Sequence, residues 1–188
     1  MNSNDVQQLS VDAAIELLGM PDRQTRRQVQ DWLMEQGESA LDAIIAGLTH
    51  ENAHIREGCA SLLDHLGDDR CVVPLMATLD DPVDAVRRAA VHSLACDRCK
   101  VHPLPADVVP ALTGLALHDS STKVRQQAVY GLGLRATDER VAPVLEAVAA
   151  EMNTRPPLSK KERGILFAAR WGLNRYKRHI KHQETNHV

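Results

Sequence analysis

Apolar residues recur in this chain at a spacing that places them on one face of a helix. In each copy of the pattern, a Val, Ile or Thr is followed directly by Arg, a small or apolar residue lies four positions later, and a Leu lies eight positions later. The copies are Thr25, Arg26, Val29 and Leu33; Ile55, Arg56, Cys59 and Leu63; Val86, Arg87, Ala90 and Leu94; and Val124, Arg125, Ala128 and Leu132. Offsets of four and eight return to the same side of an α-helix, so the pattern predicts four amphipathic helices. The arginines are 30, 31 and 38 positions apart, which indicates an internal repeat.

A shorter apolar segment precedes each of these helices, so each repeat is predicted to hold two helices. The first helices, termed A, are expected at about 11–18, 40–48, 71–79 and 106–117, and the second helices, termed B, at about 23–36, 53–66, 83–95 and 122–134. The turns between them carry residues that stop or cap helices, such as Asp22, Asn52 and Ser121. A fifth unit is expected to hold helices at about 141–152 and 160–176, the second of which begins at a capping box of Ser159 and Glu162.

The repeated residues resemble the HEAT repeat family, in particular the short bacterial HEAT-like repeats that also occur in proteins related to phycobilin lyases. The resemblance rests on the turn before the V-R-x-x-A pattern, on a proline early in helix A and on the period near 31, and it covers about residues 10–150. It implies an all-α fold, a right-handed α-solenoid of about five two-helix repeats that form a single domain. The repeats are expected at about 10–37, 38–67, 68–101, 102–136 and 137–180, and the polar tail 181–188 is expected to fray.

The same resemblance implies a ladder of contacts in which a turn Asp meets the Arg of a helix B. Asp81 and Asp119 lie at the required position in their turns. Met20 and His50 occupy that position in the first two repeats, so the ladder is expected to be incomplete.

The composition agrees with close-packed helices, because hydrophobic residues make up 44% of the chain but aromatic residues only 3%. A β-sandwich would use more aromatic and β-branched residues. The first residues contain neither the basic nor the apolar segment of a secretion signal, and no apolar run reaches the ~18 residues that a membrane span needs. We therefore expect a cytoplasmic protein with no membrane partner, whose four cysteines are reduced thiols.

Charge is distributed unevenly along the chain. From Arg155 to the end there are nine Lys or Arg and two acids, which gives +7, whereas the preceding residues have thirteen basic and twenty-three acidic side chains, which gives −10. The basic residues of this C-terminal segment include Lys160, Lys161, Arg163, Arg170, Arg175, Lys177, Arg178 and Lys181. Such a cluster can neutralise nucleic-acid phosphates, but the favoured interpretation is a solvated end whose charge complements the acidic remainder.

Catalytic motifs are absent from the sequence, which has no G-x-S-x-G, no glycine-rich phosphate loop and no H-E-x-x-H. We therefore expect neither enzyme activity nor a cofactor. One local cluster, His92, Cys96, Cys99 and His102, spells H-x3-C-x2-C-x2-H and contains half of a typical zinc motif. Zinc sites usually join two separated segments, whereas these residues lie within eleven positions, so an ordinary loop is preferred over a metal site.

The outward side of the B helices is the predicted binding surface. Rows two and six positions after the β-branched residue should face away from the core, and we term them the B-helix rows. Their members are Arg27, Glu57, Arg88 and Gln126 in the first row, and Asp31, Ser61, His92, Tyr130 and Trp171 in the second. In the HEAT family the B helices line the concave side, where partners bind, and exposed aromatic residues are typical binding anchors.

These features favour a non-catalytic scaffold or adaptor that binds a protein partner on the B-helix rows. The alternative is a nucleic-acid-binding protein similar to the HEAT-like DNA glycosylases, which use concave Trp, Asp and Arg residues; Asp31, Trp32 and Trp171 are a weak counterpart. A third possibility is a metal- or tetrapyrrole-binding protein. The identity of the partner and the oligomeric state are left open by the sequence.

Overall fold

The structure, a computed structural model, describes residues 9–100, 104–155 and 157–186. Across these ranges the chain forms ten α-helices and no strand. The helices are α1 Val11–Leu17, α2 Arg23–Gln36, α3 Glu38–Gly47, α4 Ala53–Leu66, α5 Val72–Thr78, α6 Asp84–Ala95, α7 Val109–His118, α8 Thr122–Leu134, α9 Val141–Asn153 and α10 Lys160–Asn186. The odd-numbered helices are the predicted A helices and the even-numbered ones are the predicted B helices, so the all-α repeat architecture is confirmed. None of the described helices is both long enough and apolar enough to span a membrane.

Side chains in the turns explain where several helices begin. The Asp22 carboxylate accepts hydrogen bonds from the backbone N–H groups of Gln24 and Thr25, and the Asn52 side chain accepts one from the N–H of His54. These contacts satisfy donors that the first helical turn leaves without an intrahelical partner. Gly37 has a φ of +57°, the left-handed region that glycine adopts without a steric penalty, and it lets α3 follow directly on α2.

The chain divides into two compact units, Met1–Ala106 and Asp107–Val188. In the first unit each A helix packs on the B helix that follows it, and α4 packs on both α2 and α6. The repeated apolar positions form its core, because Val29, Leu33, Ile55 and Val86 are all almost completely buried. Burial of such aliphatic side chains is the main stabilising contribution to a stacked repeat.

The second unit repeats this arrangement with α7 on α8 and α9 on α10, while α10 also packs along α8. Its core contains Val124, Leu132 and Leu145, together with Ile165 of α10. The predicted capping box begins α10: the Glu162 carboxylate accepts from the N–H of Ser159, and the Ser159 hydroxyl accepts from the N–H of Glu162.

Arg56 and Asp81 form a rung of the predicted ladder between repeats. The Arg56 guanidinium donates to both carboxylate oxygens of Asp81, at 2.6 and 3.1 Å, and also to the carbonyl oxygens of His50 and Glu51. It thereby joins the turn of the second repeat to the turn of the third. Arg26 instead donates to the carbonyl oxygens of its own turn, at Met20 and Pro21, as the expectation of an incomplete ladder implies.

In the second unit a different acid serves the same purpose. Arg125 donates to Glu151 of α9 at 2.6 Å and to the carbonyl oxygen of Ala116 at the end of α7. Arg125 of α8 therefore makes polar contacts with both neighbouring A helices, α7 and α9.

Some helix boundaries differ from the sequence prediction. Helix α5 is preceded by a 3-10 turn at Asp69–Cys71, and α7 begins at Val109 rather than near 106, after Asp107 accepts a hydrogen bond from the Val109 N–H. Helix α10 continues ten residues past the predicted end at Tyr176. Its last stretch lacks Gly and Pro, and a Gln183–His179 hydrogen bond one turn apart supports the helix there, so no local signal stops it.

Candidate functional site

A groove of about 370 Å³ lies between the B helices α2 and α4 of the first unit. Four of its lining residues, Arg27, Asp31, Glu57 and Ser61, belong to the two B-helix rows. Leu18 and Gly58 also line it. A Cβ atom on Gly58 would lie 3.2 Å from Leu18, so the glycine lets α4 approach Leu18 closely.

The groove carries exposed groups of both charges. Arg27 and Asp31 are exposed on successive turns of α2, and Arg23 adds a further cation. On α4, the Glu57 carboxylate lies 4.0 Å from His54 and 3.8 Å from Arg88 of α6, so an ionic contact continues from this helix to the next. A segment with backbone amides and mixed charges would find both donors and acceptors along this surface.

The remaining members of the rows are also at the surface. Arg88 and Gln126 are exposed, and the ring of His92 is 45% exposed. In the second unit, Tyr130 and Trp171 stack with ring centroids 4.7 Å apart and an interplanar angle of 11°, and the Arg175 guanidinium lies 5.1 Å from the Trp171 ring centroid. Tyr130 is 38% exposed, so the stacked pair presents part of its aromatic surface to solvent. The two rings and Arg175 also hold one another in place.

A second cluster gathers possible metal ligands at the C-terminal end of α6. One ligand atom from each of Asp64, His92, Cys96 and Cys99 lies within 4.8 Å of the others. The Cys96 and Cys99 sulfurs are 3.4 Å apart, and His92 Nε2 is 3.1 Å from Asp64 Oδ2. Three of the four ligand candidates considered from the sequence therefore do come together, while His102 lies outside the described residues.

Asp64 is the ligand that sequence reasoning missed. It is at the last turn of α4 and its side chain is only 4% exposed. The equivalent positions in the first, third and fourth repeats are Met34, Ala95 and Gly133, which are apolar or small, and the fifth repeat has the uncharged Asn174 there. An acid at a position where no other repeat has a charged residue was the available signal.

Lys100 neutralises this buried acid. Its side chain is 1% exposed, and its ammonium group donates to Asp64 Oδ1 at 3.2 Å and to the carbonyl oxygen of Cys96 at 2.8 Å. Burial opposes ionisation of Asp64, but hydrogen bonds from His92 and Cys99 and the charges of His92 and Lys100 outweigh it and lower the pKa of the carboxyl below its ordinary value. Burial and the contacts with Asp64 and Cys96 raise the pKa of the Cys99 thiol to about 12.

The basic C-terminal segment forms one side of the second unit. Most of its cations are exposed on α10, and a cleft of about 370 Å³ is lined by Arg175, Arg178, His179 and His182, with Thr137 on the opposite side. Arg175 also donates to the carbonyl oxygen of Gly133 at 3.1 Å, which fixes it against α8. The two tryptophans differ in burial, since Trp32 is only 9% exposed and belongs to the core.

Comparisons with known proteins agree with this architecture. Residues 11–95 match the family model of HEAT repeats. A designed armadillo repeat protein, solved in complex with the peptide (KR)4, is 17% identical with a TM-score of 0.55 over 92% of this chain and 87% of that chain. An engineered protein of known crystal structure is also 17% identical, with a TM-score of 0.54 over 94% of this chain and 86% of its own. A search of curated proteins finds no match. Residues 11–95 are therefore similar to HEAT repeats, and the described residues as a whole have an all-α helical-repeat fold.

Proposed function

We propose that this chain is a non-catalytic interaction scaffold that holds a segment of a protein partner in the groove between α2 and α4. The main support for the proposal is that residues predicted from the sequence to face outward also line one groove of the structure. The B-helix rows were derived from periodicity alone, and four of their members, Arg27, Asp31, Glu57 and Ser61, line the same groove.

The groove combines three arginines, Arg23, Arg26 and Arg27, with two acids, Asp31 and Glu57, and this mixture of charges suits a polypeptide segment. Asp31 and Glu57 would repel closely spaced phosphates, whereas a peptide offers N–H groups and cations to these acids and carbonyl oxygens to Arg27. Its volume accommodates a few side chains of an extended segment, rather than a whole domain.

Two further observations support a partner of this kind. Helical repeats present extended surfaces on which successive helices each contribute contacts, and the designed armadillo repeat protein of similar fold was solved with a peptide. In the second unit, the Tyr130–Trp171 pair offers a rigid aromatic surface, the type of group that dominates binding energy at protein interfaces.

Nucleic-acid binding through the basic C-terminal segment is the alternative function. The cleft lined by Arg175, Arg178, His179 and His182 favours it. A base-excision activity fits less well, because Trp32 is buried in the core and the Trp171 ring is already in contact with Tyr130 and Arg175. Neither tryptophan is therefore placed to stack on a base without rearrangement.

A matched pair of arginine substitutions tests the groove. Ser61→Arg places a long side chain in the groove, while Ala46→Arg adds the same charge at an exposed position of α3, an A helix. A partner is first captured from the native host by the wild-type chain, identified, purified and titrated against each variant. We expect Ser61→Arg to raise the dissociation constant at least about tenfold, which corresponds to roughly 1.4 kcal/mol, and Ala46→Arg to leave it unchanged.

Circular dichroism of both variants controls for folding. Equal affinity of the two variants would contradict the placement of the binding surface in the α2–α4 groove. Binding of duplex DNA that weakens steeply with salt, in place of a protein partner, would favour the nucleic-acid alternative.

A further inference from the structure

The side chains around the end of α6 form a site that the scaffold function does not require. Asp64 is brought to His92, Cys96 and Cys99 from a neighbouring helix, and the four ligand atoms lie within 4.8 Å of one another. Two separated segments therefore converge: the last turn of α4 and the stretch from the end of α6 to Cys99. This is the arrangement that the sequence alone did not show and that zinc sites usually have.

We propose that Asp64, His92, Cys96 and Cys99 form a tetrahedral site for Zn²⁺ or a similarly thiophilic divalent cation. Two thiolates, one imidazole and one carboxylate match the donor preferences of zinc. The proposal is independent of the groove between α2 and α4.

The distances agree with a tetrahedron of the size zinc needs. Zinc binds sulfur at about 2.3 Å and nitrogen or oxygen at about 2.0–2.2 Å, so neighbouring ligand atoms should be about 3.3–3.8 Å apart. The Cys96–Cys99 sulfurs are 3.4 Å apart, and His92 Nε2 is 3.1 Å from Asp64 Oδ2. The four ligand atoms all lie within 4.8 Å of one another, so the widest separations would have to close by up to about 1 Å around a bound cation.

Lys100 provides the support that metal-ligating carboxylates usually have. Its ammonium group binds Oδ1 of Asp64, while Oδ2 is the oxygen that faces His92. One oxygen is thus held in position and the other is directed toward the cluster, which fixes the orientation of the ligand before a cation binds.

The charges balance in the occupied state. A divalent cation with two thiolates and one carboxylate has a net charge of −1, and the buried ammonium group of Lys100 restores neutrality. Cation binding releases the thiol protons of Cys96 and Cys99 to solvent. A neutral, fully coordinated cluster avoids the large cost of burying an uncompensated charge.

Four protein ligands leave no open coordination position, so the site is structural rather than catalytic. A bound cation would link the segment of Cys99 to α4 and would thereby stabilise the packing of the third repeat on the second. The ring of His92 is 45% exposed, which gives the cation a route from solvent.

Cobalt titration of the reduced full-length chain tests the proposal. Tetrahedral Co²⁺ bound by thiolates gives a charge-transfer band in the near ultraviolet and strong bands in the visible region. We expect both, with saturation at one cobalt per chain and displacement of cobalt by added zinc. Cys96→Ser/Cys99→Ser should abolish the charge-transfer band, whereas Cys59→Ala, which removes a buried thiol outside the cluster, should retain it.

A second variant covers the case in which the double substitution prevents folding. His92→Ala alters a side chain that is partly exposed, and it should weaken cobalt binding by at least the roughly 10–100-fold that loss of a supporting group causes. No charge-transfer band in the wild-type chain, or an unchanged band in Cys96→Ser/Cys99→Ser, would overturn the proposal. A reduced chain that forms a Cys96–Cys99 disulfide in air but binds no cobalt would also overturn it, in favour of a dithiol pair.

Discussion

Arg56, in the first turn of α4, joins its own repeat to the next through Asp81. It has 13% side-chain exposure, and its partner Asp81 has 8%. Arg56→Ala would remove both guanidinium hydrogen bonds to the Asp81 carboxylate, which would keep the Val83 N–H, and would remove the guanidinium donor to the carbonyl oxygens of His50 and Glu51. Loss of these part-buried contacts costs more than the loss of an exposed ion pair. We expect the free energy of unfolding to fall by about 2–3 kcal/mol, measured by urea denaturation.

Arg70 is the matched control for this substitution. It contacts the acids Glu38, Asp42 and Asp68, but its side chain is 44% exposed and the partners are exposed as well. Solvent screens such pairs, so Arg70→Ala should lower the free energy of unfolding much less than Arg56→Ala does. An equal loss in both variants would mean that burial does not distinguish the two arginines.

Residues of the candidate metal site show what the sequence could and could not predict at this scale. Local spacing was sufficient to associate His92, Cys96 and Cys99, because they lie on one helical turn and the loop after it. Asp64 is about thirty positions away, and only the packing of α4 on α6 brings it to the cluster. An alignment of the repeats shows Asp64 as a charged residue at a position where the other repeats have none. The spacing within a single repeat contains no such information.

At the scale of elements, the sequence predicted most of the helices because their signals are local. Caps at Asp22, Asn52 and Ser159 and the apolar offsets of four and eight define each helix within its own residues. The end of α10 was not predictable in the same way. Polarity of the last residues suggested fraying, but polarity alone does not end a helix when neither Gly nor Pro is present.

The crossing of α8 and α10 depends on two glycines. A Cβ atom on Gly133 would lie 2.8–2.9 Å from the Trp171 ring and 3.0 Å from the Cα atom of Gly172. Gly133→Ala should therefore force the helices apart and disturb the Tyr130–Trp171 stack, at a cost that exceeds the gain in helix propensity. We expect a net loss of about 1–2 kcal/mol in the free energy of unfolding, measured by thermal or urea denaturation.

Gly114 in α7 provides the opposite expectation. No atom lies within 4 Å of a Cβ placed there, and the residue is exposed. Gly114→Ala should stabilise the chain by about 0.5–1 kcal/mol, because alanine restricts the unfolded backbone without a steric conflict in the folded one. If both alanine variants were destabilised to the same extent, close helix packing would not be the reason for glycine at position 133.

At the scale of the whole molecule, the two compact units differ in their chemistry. The unit Met1–Ala106 contains the mixed-charge groove and the Asp64 cluster, and the unit Asp107–Val188 contains the aromatic pair and the basic face of α10. The periodic pattern predicted the repeats in both units equally well. It gave no indication of this division of chemistry, because the distinguishing residues lie off the repeated core positions.

This division predicts where a bound cation should change the dynamics of the chain. Zinc would bridge α4 and the segment after α6, so it should suppress local opening there without any new contact to α9 or α10. We expect zinc to slow amide hydrogen exchange in peptides that cover 53–66 and 84–100, with no change in peptides that cover 141–153 and 160–185. Mass spectrometry of the exchanged full-length chain measures both regions in one sample. Protection that is uniform over both units, or that persists in Cys96→Ser/Cys99→Ser, would show that zinc acts elsewhere than at the cluster.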